Sequence, residues 1–212
     1  MSIGDAEIKT QERVIRFFKD PESLGYQYIG NLSDYQNKNI KEDRLRQYLR
    51  LKGYSDKLVD AAIMQLQQEA GNLSRGVYDA NKTVYSRLKY GIPVSESPEK
   101  PPVTVELIDE ANPLNNDFAI AEEVTVVEQQ EKRPDLVIYL NGIAVAVIEL
   151  KRSSISVSEG IRQNLTNQKD SFIRGFFTTM QFCMAGNESE GLRYGTLLTG
   201  EKFYMEWKDD GF

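Results

Sequence analysis

The chain has 212 residues, and 26 Lys and Arg set against 32 Asp and Glu leave it a net charge of -6, with length for one sizeable core or one domain with a small appendage. It contains no histidine, which excludes His-based triads, proton shuttles and His-ligated zinc; the lone Cys183 can form no intrachain disulfide and, within an apolar run, reads as a buried structural thiol. A pI near 5.0 argues against a tight stand-alone DNA binder that relies on phosphate neutralisation.

The amino terminus, MSIGDAEIKT, lacks the charged-then-apolar pattern of a signal peptide, and no apolar run approaches the ~18 residues of a membrane span. A soluble, cytoplasmic protein without a membrane partner is the expectation. Ile8, Val14, Ile15, Phe17 and Phe18 predict an amphipathic helix over Ile8 to Phe18, stopped by Asp20-Pro21. Glu12 lies on it, and its ordinary reading is a solvated helix glutamate. Leu24 to Ile29 then reads as a strand.

From Ile40 to Gly91 the pattern is helical. One helix spans Arg44 to Leu51 and ends at Gly53; Ser55 is placed to cap Asp56 to Glu69, and Ser74 to cap Val77 to Lys89 before Gly91. Tyr78, Tyr85 and Tyr90 recur at roughly helical spacing and read as packing residues rather than stacking platforms for bases. Ile92 to Pro102 carries Pro93, Pro98, Pro101 and Pro102 and reads as a loop or linker. It separates a mostly helical first part from a mostly stranded second part, where Val103 to Ile108 and Phe118 to Val127 supply two strands.

The segment Arg133 to Lys151, RPDLVIYLNGIAVAVIELK, holds two apolar β-branched and aromatic runs joined by Asn141-Gly142, a strong hairpin signal. Apolar at nearly every position, the hairpin belongs in the middle of a sheet. Asp135 lies at the start of its first strand; Glu149 and Lys151 end the second. Strand periodicity points Glu149 and Lys151 the same way. A strict two-residue loop would pair Leu140 with Ile143 and put Asp135 on the opposite face. A three-residue loop with Gly142 in the left-handed conformation, or an equivalent irregularity, brings Asp135 to the same face, and that turn is the prediction.

Two converging carboxylates suit a hard, oxygen-seeking ion, and Mg²⁺ takes one or two protein carboxylates and completes its shell with water and phosphate. A lysine beside them adds charge at a phosphate or orients water, so Asp135 and Glu149 as metal ligands with Lys151 alongside point to phosphodiester hydrolysis. The plain alternative is a solvated, charged strand end with a turn aspartate after Pro134. After Lys151, a helix over Val157 to Asp170 buries Val157, Ile161, Leu165 and Phe172. Phe182 to Ala185 is a further strand, joined to the hairpin by a helical crossover, and Tyr194 to Leu198 with Phe203 to Trp207 form a closing hairpin.

These residues resemble the PD-(D/E)xK nuclease signature. More narrowly, the run from Arg133 to Lys151, with Asn116-Asp117-Phe118 upstream and Arg193-Tyr194-Gly195-Thr196 downstream, resembles the amino-terminal nuclease domain of the R subunit of type I restriction-modification enzymes. The resemblance covers the second half of the chain well and the first half loosely. It implies an α/β, restriction-endonuclease-like mixed sheet flanked by helices, with a helical insertion in the first half. One nuclease domain would span residues 1–212, with a helical subregion at 40–91, the loop at 92–102 and a catalytic core at 103–212. It implies catalytic roles for Asp135, Glu149 and Lys151, and carries over Gln163 from the family's Gln-x-x-x-Tyr motif, whose tyrosine position is Asn167 here. Glu12 resembles the first-helix glutamate that in many such folds leans towards the metal. Mg²⁺ as cofactor, double-stranded DNA as substrate, and modification (methyltransferase) and specificity subunits as partners also follow from it. The chain has no phosphate-binding Gly-x-x-x-x-Gly-Lys-Ser/Thr loop. ATP would therefore act in motor domains outside it, and the 212 residues are expected to be an amino-terminal fragment of a longer subunit. An assembly module that has lost activity, or a stand-alone nuclease of the same fold, are the alternatives.

Overall fold

The computed structural model describes residues 3–208, with side chains in the first helix described from residue 8 onward. Helix α1 (Ile3–Lys19) buries Ile15 beside the half-buried Val14 and Phe18. Strand β1 (Gln27–Asn31) starts later than the hydrophobic pattern suggests, because Ser23 and Gly25 donate their backbone N–H groups to Asp20 O and hold the intervening residues in a turn.

Three helices occupy the next stretch: α2 (Glu42–Leu51), α3 (Asp56–Gly71) and α4 (Val77–Tyr90). Ser55 caps α3 as its position predicts, accepting from the Leu58 N–H. Ser74 does not cap α4. The cap is Gly76, and the Ser74 hydroxyl instead donates to Asn72 Oδ1 at 2.6 Å. The proline-rich segment is not all loop either. Its first residues form β2 (Ile92–Val94), which pairs antiparallel with β3 (Val103–Val105) in a separate two-stranded sheet, where Pro93, lacking an N–H, sits on a strand with an open edge.

The single strand expected over Phe118 to Val127 breaks at Glu123, whose φ of 51° no strand accommodates. It becomes β4 (Phe118–Glu122) and β5 (Val126–Val127), the latter paired with β6 (Glu131–Lys132). Then follow β7 (Leu136–Leu140), β8 (Ile143–Leu150), α5 (Val157–Asn167), β9 (Phe182–Asn187), β10 (Gly191–Gly195) and β11 (Met205–Glu206).

Seven strands make one mixed sheet in the order β1-β4-β7-β8-β9-β10-β11. Strands β1 and β4 run parallel, as do β8 and β9, and the other neighbours are antiparallel. Helix α5 supplies the crossover between β8 and β9, as a parallel pair requires. One sheet face packs Ile120, Leu136, Ile148 and Met184 under α1. The other packs Val137, Tyr139, Val147 and Cys183 against Phe176 and Phe177, with α5 lying on Ala185. The fold is the mixed α/β arrangement of restriction-endonuclease-like proteins. Helices α2 to α4 form their own core with Ile40 and Ile143, which seats them over the turn end of the β7–β8 hairpin. No helix among the described residues is long and apolar enough to cross a membrane.

Candidate active site

Strands β7 and β8 lie in the middle of the sheet, and nearly every residue of β8 is buried. Their turn is the strict two-residue form: Leu140 pairs with Ile143, and Asn141 and Gly142 both have positive φ, 51° and 82°, as a type I′ turn requires. The three-residue loop expected from the sequence does not form. Helix α2 explains why, since a Cβ at Gly142 would lie 2.7 Å from Lys41 O and 2.8 Å from Leu45 N, so the turn is pressed against a helix start that leaves no space for a wider loop.

The irregularity sits inside β8 instead. Tyr139 pairs with Ala144 and Ile138 with Ala146, which leaves Val145 as one extra residue, a β-bulge. The Val145 carbonyl is not wasted, for it accepts the Gln181 N–H at 2.7 Å and holds the entry to β9. Past the bulge, Leu136 faces Ile148, and the next step outward sets Asp135 beside Glu149. The bulge thus does what the wider turn was expected to do.

At this end of the hairpin the main chain holds Asp135 closely. Its Oδ2 accepts from the Leu150 N–H at 2.6 Å, and its carbonyl accepts from Glu123 N at 2.9 Å. Lys151 follows β8, half-buried; its Nζ donates to Leu150 O at 3.1 Å, and its charge acts on Glu149. Glu149 is fully buried. Burial first, and the neighbouring Asp135 carboxylate second, push its carboxyl well above the ordinary carboxylate range, against the pull of Lys151.

Gln163 joins the group from α5, its Nε2 donating to Glu149 Oε2 at 2.6 Å. The other oxygen, Oε1, is buried and receives no hydrogen bond, while the Asp135 carboxylate acts on the Glu149 group as a whole. A buried carboxylate oxygen without a donor, in a group beside a second carboxylate, is the arrangement a divalent cation satisfies, so the residues present fit such an ion. Asp135 and Glu149 are the residues that would hold it.

Helix α5 reaches Glu149 because of Gly160, which the sequence reading passed over. A Cβ there would lie 2.9 Å from the Ala185 Cβ and 3.5 Å from that of Glu149. Its signal was a glycine inside an otherwise helical pattern, a common mark of close packing. Asn167, one turn beyond Gln163, is buried, and its carbonyl accepts the Ile173 N–H. Glu12 is exposed. Its neighbour Gln11 turns inward instead, donating to Glu122 Oε2 at 3.0 Å and Glu123 Oε1 at 3.4 Å. Glu123 also pairs with Arg133 at 2.6 Å, and its charge adds to the pressure on Glu149. Sequence reasoning gave it no role, because only the break between β4 and β5 brings it to this end of the sheet.

Residues 7–203 match the family model described as the type I restriction enzyme R protein N terminus. A protein of Methanocaldococcus jannaschii, provisionally named a type I restriction enzyme endonuclease subunit, is 33% identical over 97 residues, 42% of this chain and 9% of that protein. Type I restriction enzyme endonuclease subunits of Staphylococcus saprophyticus and Staphylococcus aureus are 29% identical over 112 residues and 27% over 111, in each case 50% of this chain and 12% of the relative. The chain thus matches only about a tenth of the length of these relatives.

Proposed function

The chain belongs to the family of type I restriction enzyme R protein N termini, and from that premise we propose that it is the DNA-cleaving domain of such a subunit, hydrolysing phosphodiester bonds with Mg²⁺ held by Asp135 and Glu149. The observation that carries this reading is Glu149 Oε1, buried without a donor in a group beside a second carboxyl. When bound there, Mg²⁺ supplies charge against the phosphate and a more acidic water.

The chain's own residues do the rest. Gln163 fixes the Glu149 carboxyl by one oxygen, which leaves the other, without a donor, for the ion. The main-chain bond from Leu150 fixes Asp135 in the same way. Lys151, held at the mouth by the Leu150 carbonyl, places an ammonium where a scissile phosphate would approach and orients the water that attacks it. The buried β7–β8 hairpin keeps these groups rigid, so that little reorganisation is needed on substrate arrival.

In this proposal the substrate is double-stranded DNA, delivered in the cytoplasm by ATP-driven motor domains and by modification and specificity subunits. Delivery by other parts reconciles a nuclease with an acidic chain. Calorimetric titration of the chain with Mg²⁺ tests the centre of the proposal: binding in the millimolar range or tighter is expected, and is lost in Asp135→Ala and Glu149→Ala. A native chain that takes up no Mg²⁺ at millimolar concentration rejects it.

A further inference from the structure

Tyr78, Lys82, Tyr85 and Lys89 follow one another along α4 at alternating steps of four and three residues, which aligns them in one stripe on the helix surface. The opposite side of α4, with Val77, Ala80, Val84 and Leu88, is the side that packs. The tyrosines were expected to pack as well, and they do not: Tyr78 and Tyr85 leave 59% and 49% of their surface in solvent, and Tyr90 69%. Both lysines are exposed, and among the described residues neither has an ion-pair partner. The one acidic residue of α4, Asp79, lies beside the stripe and faces Arg75 at 3.7 Å.

Rings and ammonium groups in alternation, on a chain whose net charge is -6, form a local positive surface complementary to a polyanion that also has flat faces to stack. At the start of α4 the stripe runs into a groove of about 500 Å³ lined by Tyr78, Leu165, Lys169 and Arg174, with Asp170 occupied by Arg174. Leu165 belongs to α5, the helix that carries Gln163 to Glu149, so one helix borders both the groove and the proposed cleavage site.

We infer that this face of α4, continued by the groove, binds a single strand of DNA, with Lys82 and Lys89 on its phosphates and Tyr78 and Tyr85 beneath unpaired bases. The inference rests on the reading of the chain as a DNA nuclease, but not on its metal chemistry. The test is fluorescence anisotropy of a labelled single-stranded oligonucleotide, and of the same sequence as a duplex, in EDTA over a range of salt. The variants are Lys82→Ala/Lys89→Ala and Tyr78→Ala/Tyr85→Ala, all four positions being exposed and outside the core.

The native chain is expected to favour the single strand over the duplex. Removing both lysines should flatten the slope of log affinity against log salt by about 1.4, from two lost contacts to a single strand. Removing both tyrosines should weaken binding about 10-fold or more, leave the slope unchanged and erase the preference for the single strand. No measurable binding at low salt, equal binding of both DNAs, or variants with the native affinity and slope would each overturn the inference. Unchanged DNA binding with lost association to partner subunits would overturn it too and mark α4 as a protein interface. Cleavage is read separately with Mg²⁺. Strand binding through these residues without cleavage would count against the nuclease reading alone, whereas cleavage with unaltered variants would count against the stripe alone.

Discussion

Gly160 of α5 stands so close to Ala185 of β9 that a side-chain carbon at position 160 would lie 2.9 Å from the Ala185 Cβ. Neither a rotamer change nor a flexible neighbour can relieve that contact, since both groups are single methyl positions on packed elements. Alanine at 160 would gain about 1 kcal/mol of helix propensity and lose about 1–3 kcal/mol to overpacking. Because the overlap falls where α5 meets β8 and β9, it also moves Gln163 away from Glu149. Gly160→Ala is therefore expected to lower the urea midpoint and weaken Mg²⁺ binding together. Ala185→Gly, made in the same chain, opens the space again and should restore both, which calorimetry and denaturant titration can follow.

Gln163→Leu separates the helix position from its amide. Glu149 Oε2 then loses the 2.6 Å hydrogen bond and joins Oε1 as a buried oxygen with no donor, at a cost of about 1–3 kcal/mol if the carboxylate stays charged. The carboxyl answers by holding its proton more firmly, so Mg²⁺ must compete with that proton. The expected outcome is a weaker Mg²⁺ affinity at neutral pH that recovers part of the loss as pH rises. A pH-independent deficit would mean that Gln163 acts by shape alone.

Burial and Asp135 together raise the Glu149 carboxyl above its unfolded value, which fixes the sign of a pH effect. A carboxyl raised on folding is protonated in both states at low pH, and there it contributes no difference. As pH climbs past the unfolded value, near 4.3 for a free glutamate at about that magnitude, the unfolded chain releases the proton first and stability falls, until the folded group releases its own. Glu149→Gln removes that burden and keeps the shape. In EDTA the variant should match the native chain in acid and exceed it in stability at neutral pH, while losing Mg²⁺ binding. A variant less stable than the native chain at pH 7 would show that Glu149 is held charged by partners stronger than its burial.

The grouping of the candidate site residues was legible in the sequence because it is local. Pro134-Asp135, two apolar runs and Glu149-x-Lys151 sit within one hairpin, and strand periodicity says which charges share a face. What the sequence could not place was the device that aligns them. A bulge at Val145 depends on Gln181 taking the spare carbonyl, and the tight turn depends on α2 lying over Gly142; both partners are remote in the chain. The same holds for Gly160, whose meaning appears only once β9 is beside β8. The α4 tyrosines failed in the other direction: their spacing is that of a packed stripe, but Val77, Ala80, Val84 and Leu88 had already filled the buried side. Proline content misled at β2, where an edge strand tolerates Pro93.

The turn at the far end of the hairpin offers a test of how far stability and the site are separable. Asn141 is fully buried; its Nδ2 donates to Leu107 O and Asn116 Oδ1, each at 2.8 Å, and its Oδ1 accepts from Asp117 N at 2.7 Å. Asn141→Ala strips these bonds and puts alanine at a positive φ, for an expected loss of about 2–4 kcal/mol. Gly142→Ala should be worse, beyond about 4 kcal/mol, because the new carbon meets backbone atoms of Lys41 and Leu45 that no side-chain rotation can move. Both substitutions lie at the opposite end of β8 from Glu149, with the bulge between. Urea unfolding should therefore show large drops in midpoint, while Mg²⁺ titration below the midpoint should give the native affinity in the molecules that remain folded. Loss of Mg²⁺ affinity in step with stability would mean that the bulge cannot hold its register without the turn, and that Asp135 and Glu149 are aligned by the whole hairpin rather than by Val145.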